Sequence, residues 1–160
     1  MRQMDLFRDE GDLFGRLCST DYLEKGFKAV KRNKGSAGID GVTIEDFDSR
    51  LDEELSQLSS ELKSWGYQPK PVRRVEIPKP GKGAGVRLLG VPCVRDRVVQ
   101  ATLKLILEPL LDPLFSEHSY GFRPGRNQRQ AVEAAQRIVK TGKEYVVDID
   151  LSKFFDRVHH

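Results

Sequence analysis

Two acidic side chains near residue 150 have the type and spacing of metal ligands. Asp148 and Asp150 lie two residues apart in the run Tyr145-Val-Val-Asp-Ile-Asp-Leu151. Val147, Ile149 and Leu151 alternate with the acids, which predicts a β-strand whose acids share one face with Cα atoms about 7 Å apart. Carboxylates at a strand end are hard oxygen ligands for Mg²⁺, which can in turn hold phosphate groups.

Structural roles are the alternative for these acids. Asp150 could cap the turn after the strand, and Asp156 could pair with Arg157 or Lys153. Because two carboxylates on one face repel each other, we expect a cation or a basic side chain near them.

A glycine-rich loop between two β-branched runs is the second candidate. Residues 72–77 and 86–91 are predicted as the strands of a β-hairpin with a long tip. The basic residues of this hairpin are Arg73, Arg74, Lys79, Lys82 and Arg87. Point charges and exposed backbone N–H groups suit phosphate, although no Walker pattern occurs and a solvated tip is the alternative.

A second predicted loop, which contains glycine and proline, has the sequence Ser119-Tyr-Gly-Phe-Arg-Pro-Gly-Arg126. Aromatic and arginine side chains in such a loop can stack on bases and contact phosphates. We expect Phe122 to pack under the loop and Arg123 to contact a phosphate, with Tyr120 open to either role.

Helices are predicted around these loops. Apolar spacings of three and four residues predict an irregular helix over 3–32, a long helix over 44–65 and another over 94–111. Thr43 is the predicted N-cap of the long helix, Trp65 ends its apolar stripe, and Pro109 is expected to kink or end the 94–111 helix. Asn127 caps a helix over 128–140 that is expected to bury Ala131, Ala134, Ala135 and Ile138.

Charge is unevenly distributed along the 160 residues. The net charge is +3, but residues 67–109 hold nine basic and three acidic side chains, whereas residues 1–66 hold ten and fourteen. A basic segment is the usual footprint of a phosphate-bearing partner, and a merely solvated face is the alternative. No apolar run is long enough to span a membrane. Cys18 and Cys93 lack the spacing of metal ligands, and this favours reduced thiols and a cytoplasmic location.

Four motifs in this order closely resemble the N-terminal half of group II intron reverse transcriptases, the intron-encoded maturases, over about residues 30–160. They are Gly35-Ser-Ala-Gly-Ile-Asp-Gly-Val-Thr43, the hairpin from Pro78 to Pro92, Phe115-Ser-Glu-His-Ser-Tyr-Gly-Phe-Arg-Pro-Gly-Arg126, and Val147-Asp-Ile-Asp-Leu-Ser-Lys-Phe-Phe-Asp-Arg-Val158. The resemblance implies an α+β fold with helix-rich fingers, a basic β-hairpin and the first palm strand. Its expected parts are an N-terminal helical extension over 1–33, fingers over 34–142, and a truncated first palm strand over 143–160.

The resemblance also implies roles in catalysis. Asp150 matches a metal-binding aspartate, and Leu151 would add its backbone carbonyl to the same Mg²⁺. Phe155 matches the aromatic that excludes a ribose 2′-hydroxyl by a steric clash and so selects deoxynucleotides. Lys79 and Arg87 match the residues that hold the incoming dNTP, while Asp148 receives a structural role.

The implied partners are an RNA template, intron RNA, a DNA primer and dNTP, with no membrane. The loop over residues 35–41, which contains Gly38 and Ile39, resembles one that closes over the template. The remaining residues expected to bind RNA are Arg73, Arg74, Lys82, Arg123 and Arg126.

One departure from the family limits this interpretation. Two-metal phosphoryl transfer needs carboxylates from more than one strand around ions about 3.5–4 Å apart. The family supplies the others from a Tyr-x-Asp-Asp hairpin, and no Asp-Asp pair occurs here. We therefore expect this chain to be part of an RNA-directed DNA polymerase and to be inactive on its own. The alternatives are a non-catalytic intron RNA-binding splicing cofactor, and association of copies through an unpaired final strand.

Overall fold

The computed structural model describes residues 11–81, 85–152, 154, 157 and 159. Six α-helices and one two-stranded antiparallel sheet form in this part of the chain, which confirms the predicted α+β class. The chain divides into two compact units, Met1–Pro113 and Leu114–His160. None of the helices described is long and apolar enough to cross a bilayer.

Two helices form over residues 13–33, where an irregular helix was predicted. They are α1, Leu13–Cys18, and α2, Thr20–Asn33, and the chain is extended at Ser19 between them. The Asp12 side chain caps α1 by accepting a hydrogen bond from the Gly15 N–H at 2.7 Å. The part of this prediction that falls on residues 3–10 lies outside the described residues.

The predicted long helix is also divided in two. These helices are α3, Ile44–Ser49, and α4, Leu51–Lys63, and the backbone leaves helical geometry at Arg50 (φ −126°, ψ 31°). Thr43 caps α3 as predicted, because its hydroxyl accepts from the Asp46 N–H at 3.0 Å while the Asp46 carboxylate accepts from the Thr43 N–H. This reciprocal pair is a capping box.

Trp65 does not belong to the buried stripe of α4, so that prediction was wrong. It follows the end of the helix with φ +57°, and 80% of its surface is exposed. Its ring stacks on Phe14 with centroids 4.8 Å apart.

The core of the first unit lies where α2 packs on α5, Val94–Leu111. A Cβ built on Gly26 would lie 2.2 Å from Thr102 Oγ1 and 2.8 Å from the Val98 carbonyl, so only glycine allows this close approach. The largest fully buried apolar side chains are Leu23, Phe27, Phe47, Leu58, Val94 and Val98. Pro109 lies inside α5 and does not end it, since the helix continues to Leu111. Cys18 and Cys93 are both buried and free.

The predicted β-hairpin is present. Its strands are β1, Arg73–Pro78, and β2, Val86–Val91, and Arg73 pairs with Val91 at one end and Pro78 with Val86 at the other. The Lys79 N–H donates to the Gly85 carbonyl at 3.0 Å and extends the pairing toward the tip.

A 3-10 turn at Asp112–Leu114 is followed, in the described part of the second unit, by the helix α6, Gln128–Lys140. Asn127 caps it as predicted and accepts from the Gln130 N–H at 3.0 Å. Of the four residues expected to be buried, only Ala134 is, whereas Ala135 and Ile138 are exposed.

The strand predicted for residues 145–151 does not form. Residues 143–150 carry no secondary structure, and no described segment hydrogen-bonds beside them as a strand would. An alternating pattern gives a segment the propensity to form a strand. Its backbone N–H and C=O groups also need hydrogen-bond partners in a neighbouring strand.

Candidate nucleic-acid interface

The loop at residues 34–41 is fastened by two arginines that both contact Ser36. Arg73, at the start of β1, donates from Nη2 to the Ser36 hydroxyl at 2.9 Å, and Arg97 of α5 donates from Nη2 to the Ser36 carbonyl at 2.8 Å. The loop is therefore tied to the base of the hairpin and to the first turns of α5.

Gly38 and Ile39 occupy different environments within this loop. Gly38 is buried, and a Cβ on it would lie 2.6 Å from the Cys93 Cα, so glycine lets the loop approach the backbone at the start of α5. Ile39 is 57% exposed. Of the two residues predicted to bind RNA, Gly38 thus faces the protein and Ile39 faces solvent.

Asp40 fixes the other end of the loop. Its carboxylate accepts from Lys70 Nζ at 3.1 Å and from the Val42 N–H at 3.2 Å. Burial would raise the pKa of Asp40, but hydrogen bonds from Lys70, the Cys93 thiol and Val42, together with the charge of Lys70, outweigh burial and lower the pKa.

A second carboxylate holds the segment that leads into the hairpin. Asp96 of α5 is buried and accepts from the Tyr67 hydroxyl at 2.7 Å and from the Lys70 N–H at 3.1 Å. Burial, followed by the hydrogen bond to Asp96, raises the pKa of the Tyr67 hydroxyl, which keeps it a donor. The segment therefore enters β1 from a fixed position.

Sequence reasoning missed this network of Asp40, Lys70, Asp96, Tyr67 and Arg97. Asp96 lies in the first turn of α5, where an acid also favours the helix dipole. Its place between buried positions of α5 was the signal that could have revealed the network, because a buried carboxylate needs hydrogen-bond partners.

The two faces of the hairpin carry different basic residues. Side chains alternate along a strand and directly paired residues share a face. Arg73 pairs with Val91 and Ile77 pairs with Arg87, so Arg73 and Arg87 lie on one face, while Arg74 pairs with Gly90 on the other. Continued alternation puts Lys79 on the Arg87 face. Lys82 lies outside the described residues.

In the second unit, the arginines of the loop at residues 119–126 contact residues of this loop and of the segment just before it. The Arg123 guanidinium donates to the carbonyls of Ser116 at 2.8 Å and Ser119 at 3.2 Å and lies over the Phe115 ring. Arg126 lies 5.5 Å from the centre of the Tyr120 ring.

Phe122 does not pack under this loop. It is fully exposed with φ +56°, so the prediction that it belongs to the core was wrong. The aromatic contacts of the loop come instead from Phe115 and Tyr120, which lie under the two arginines.

The predicted metal ligands Asp150 and Leu151, and their neighbours Asp148 and Phe155, lie in the last part of the chain. Asp148, Asp150 and Leu151 are exposed, and Phe155 lies outside the described residues. Within the ranges that the structure describes, no group of three or more His, Cys, Asp or Glu side chains could hold a metal ion.

Comparison with known proteins agrees with the sequence motifs. Residues 77–160 match the family model described as Reverse transcriptase (RNA-dependent DNA polymerase). The chain is 38% identical to Protein YkfC of Escherichia coli K12 over 150 residues, which are 90% of this chain and 39% of that protein. It is 30% identical to the group II intron-encoded protein LtrA of Lactococcus lactis over 148 residues, or 92% and 24% of the two chains.

A plant protein gives a shorter match. Nuclear intron maturase 1 of Arabidopsis thaliana is 39% identical over 67 residues, which are 42% of this chain and 9% of that protein. The chain thus spans well under half the length of the curated relatives it matches. It belongs to the reverse transcriptase family, and its resemblance to group II intron-encoded proteins is confirmed.

Proposed function

We propose that this chain forms the template- and nucleotide-binding part of an RNA-directed DNA polymerase. The observation that carries the proposal is the position of Arg73. It shares a hairpin face with Arg87 and donates to Ser36 in the 34–41 loop. The proposed nucleotide-binding and template-binding elements are thereby joined at one side chain.

In this proposal Arg87 and Lys79 hold the triphosphate of the dNTP. An arginine guanidinium can bind phosphate oxygens through two parallel hydrogen bonds, and lysine adds a point charge. The resemblance assigns to Phe155 the exclusion of a ribose 2′-hydroxyl. Phe155→Ala should then lower the preference of the chain for dATP over ATP in a binding titration, and an unchanged ratio would reject this role.

Asp150 is the proposed protein ligand for a divalent cation, with the Leu151 carbonyl beside it. Such a cation, when bound, neutralises phosphate charge in this class of enzyme. The Asp-Asp pair that the resemblance calls for does not occur in these 160 residues, so we expect no template-dependent dNTP incorporation by them alone. Incorporation that Asp150→Ala abolishes would contradict that expectation.

The template role of the 34–41 loop can be tested by photocrosslinking. Ile39→benzoylphenylalanine places a photoreactive group on the exposed part of the loop, and Trp65→benzoylphenylalanine is a control at another exposed apolar position. With a DNA primer annealed to an RNA template, we expect the first variant to crosslink to the RNA strand and the second not to. Equal yields, or crosslinks confined to the primer, would contradict a template loop.

RNA binding without catalysis is the second candidate function. The similarity to a protein named an intron maturase favours it, as does Arg74 on the hairpin face away from Arg87. Arg74→Gln should weaken binding of structured intron RNA and leave dNTP binding unchanged. If intron RNA affinity does not change, this face of the hairpin has no such role.

A further inference from the structure

A groove runs along α4, between this helix and the start of α2. It consists of a cavity of about 360 Å³ beside the first turns of α4 and a cavity of about 520 Å³ beside its second half. Thr20 and Ser56 line both cavities, so the two join into one groove. The lining extends from Asp52 to Ser64, which corresponds to about 18 Å along the axis of α4.

An exposed tryptophan stands at one end of this groove. Trp65 follows Ser64 in the chain, is 80% exposed, and stacks on Phe14 of α1 with ring centroids 4.8 Å apart. Its φ of +57° is the conformation that glycine usually adopts after a helix, and the Gly66 N–H donates to the Glu61 carbonyl at 2.8 Å as in a Schellman motif. A bulky aromatic residue that is held in this conformation and faces solvent is typical of a binding contact.

Hydroxyl groups line the middle of the groove. Ser59 is buried and donates to the Cys18 carbonyl at 2.6 Å, which holds the end of α1 against α4. Thr20, Ser56 and Ser60 are exposed, and their hydroxyls make no hydrogen bond to the residues that the structure describes. Because a hydroxyl both donates and accepts, these side chains can pair with the N–H and C=O groups of an extended peptide.

The opposite end of the groove is acidic. Asp21, Glu24 and Asp52 line the smaller cavity. Glu24 pairs with Lys28 at 2.6 Å, whereas Asp21 and Asp52 form no salt bridge within the described part of the chain. Lys63 is the cation in the two linings, and it lies toward the aromatic end, about 16 Å from Asp52 along the helix axis. The groove thus changes from aromatic to acidic along its length.

We propose that this groove binds an extended basic segment of a partner protein, with an apolar side chain on Trp65 and a lysine or arginine between Asp21 and Asp52. Charge complementarity selects this occupant, because two carboxylates without cations attract a basic peptide and repel a polyanion. An extended chain rises about 3.3 Å per residue, so about 18 Å spans five or six residues. The site involves neither the Arg87 face of the hairpin nor Asp150.

The first test is a selection of peptides on the immobilised 160-residue chain. The probe is a phage-displayed library of random peptides of about nine residues, which is long enough to fill the groove. We expect the selected peptides to share an apolar residue and a lysine or arginine about five or six positions away from it. If no shared pattern is enriched, or if the pattern contains no basic residue, the proposal is overturned.

The second test locates the binding of a selected, fluorescently labelled peptide by anisotropy. Asp21→Asn/Asp52→Asn removes two acids of the groove. Glu45→Gln/Glu53→Gln is the matched control, because it also removes two exposed acids from the first turns of helices. We expect the first variant to lose about tenfold in affinity at low salt and less at high salt, and the control to stay close to the unmodified chain. Equal affinities of the two variants would contradict this placement, and circular dichroism checks that both retain their helices.

Trp65→Ser tests the other end of the groove and should also weaken peptide binding about tenfold, as the loss of an aromatic anchor does. An unchanged affinity would remove Trp65 from the site. Self-association that Trp65→Ser abolishes in light scattering would assign the groove to a second copy and overturn the proposal. Arg87→Gln should leave peptide affinity unchanged, so the groove and the proposed nucleotide site can fail independently.

Discussion

Lys70 Nζ lies 3.1 Å from Asp40 Oδ2, while the backbone N–H of the same lysine donates to the buried Asp96. One residue thereby links the 34–41 loop, the segment entering β1 and the first turn of α5. The side chain of Asp40 is only 14% exposed and that of Lys70 is 42% exposed, so the pair is partly withdrawn from solvent. The position of the loop relative to the hairpin should depend on this residue.

The Lys70–Asp40 pair should therefore be coupled energetically. In a double-mutant cycle with Lys70→Met and Asp40→Asn, we expect a coupling of about 1 kcal/mol in the free energy of unfolding by urea. The more exposed pair Lys31–Asp48, at 2.6 Å, is the matched control and should give less than about 0.5 kcal/mol. Equal couplings would mean that Lys70 does not anchor the loop.

The contribution of Asp40 should depend on pH. Its folded pKa is lowered, so its stabilising contacts are fully present above the unfolded pKa near 3.8 and are lost as pH falls through the folded value. The difference in unfolding free energy between the unmodified chain and Asp40→Asn should be constant from pH 7 to about 5 and shrink below about 4. Urea titrations across this range measure it, and a difference that grows in acid would contradict the account.

Gly38→Ala should displace the loop. The added methyl would meet backbone atoms of Cys93 at 2.6 and 2.7 Å, which cannot move aside as a flexible side chain would. We expect a loss of about 1–3 kcal/mol in stability and faster proteolysis within residues 34–41. Gly121→Ala, with nothing within 4 Å of the added carbon, should change neither. A neutral Gly38→Ala would show that the loop does not dock on Cys93.

Residues 145–151 should drive self-association. Val147 and Ile149 are about four-fifths exposed in a segment of high strand propensity that has no pairing partner among the described residues. Light scattering should show mass rising with concentration, and Val147→Lys/Ile149→Lys should hold the chain monomeric. A monomer mass for the unmodified chain at every concentration would exclude this association.

Local patterns predicted the elements of this fold well. The hairpin, the caps at Thr43 and Asn127 and the extent of α5 depend on alternation, capping chemistry and period, which are properties of neighbouring residues. The errors arose where distant contacts decide. Residues 145–151 need a partner strand to be β, and Trp65 and Phe122 adopt positive φ and face solvent.

The candidate site was predictable only in part. The basic hairpin and the 34–41 loop are visible in the sequence, but the contacts that join them are not. Arg73 and Ser36 are 37 positions apart, and Asp96 and Tyr67 are 29 apart.

The central claim is that dNTP binds on the Arg87 face of the hairpin. The most direct test compares dNTP binding after substitutions on the two faces. The dissociation constant of Mg²⁺–dATP is measured by calorimetry for the unmodified chain, for Arg87→Gln and for Arg74→Gln, which removes the same charge from the opposite face. We predict that Arg87→Gln weakens binding at least about tenfold, the loss of a charge-assisted phosphate contact, while Arg74→Gln changes it little. Equal effects of the two substitutions, or no effect of Arg87→Gln, would contradict a nucleotide site on the Arg87 face.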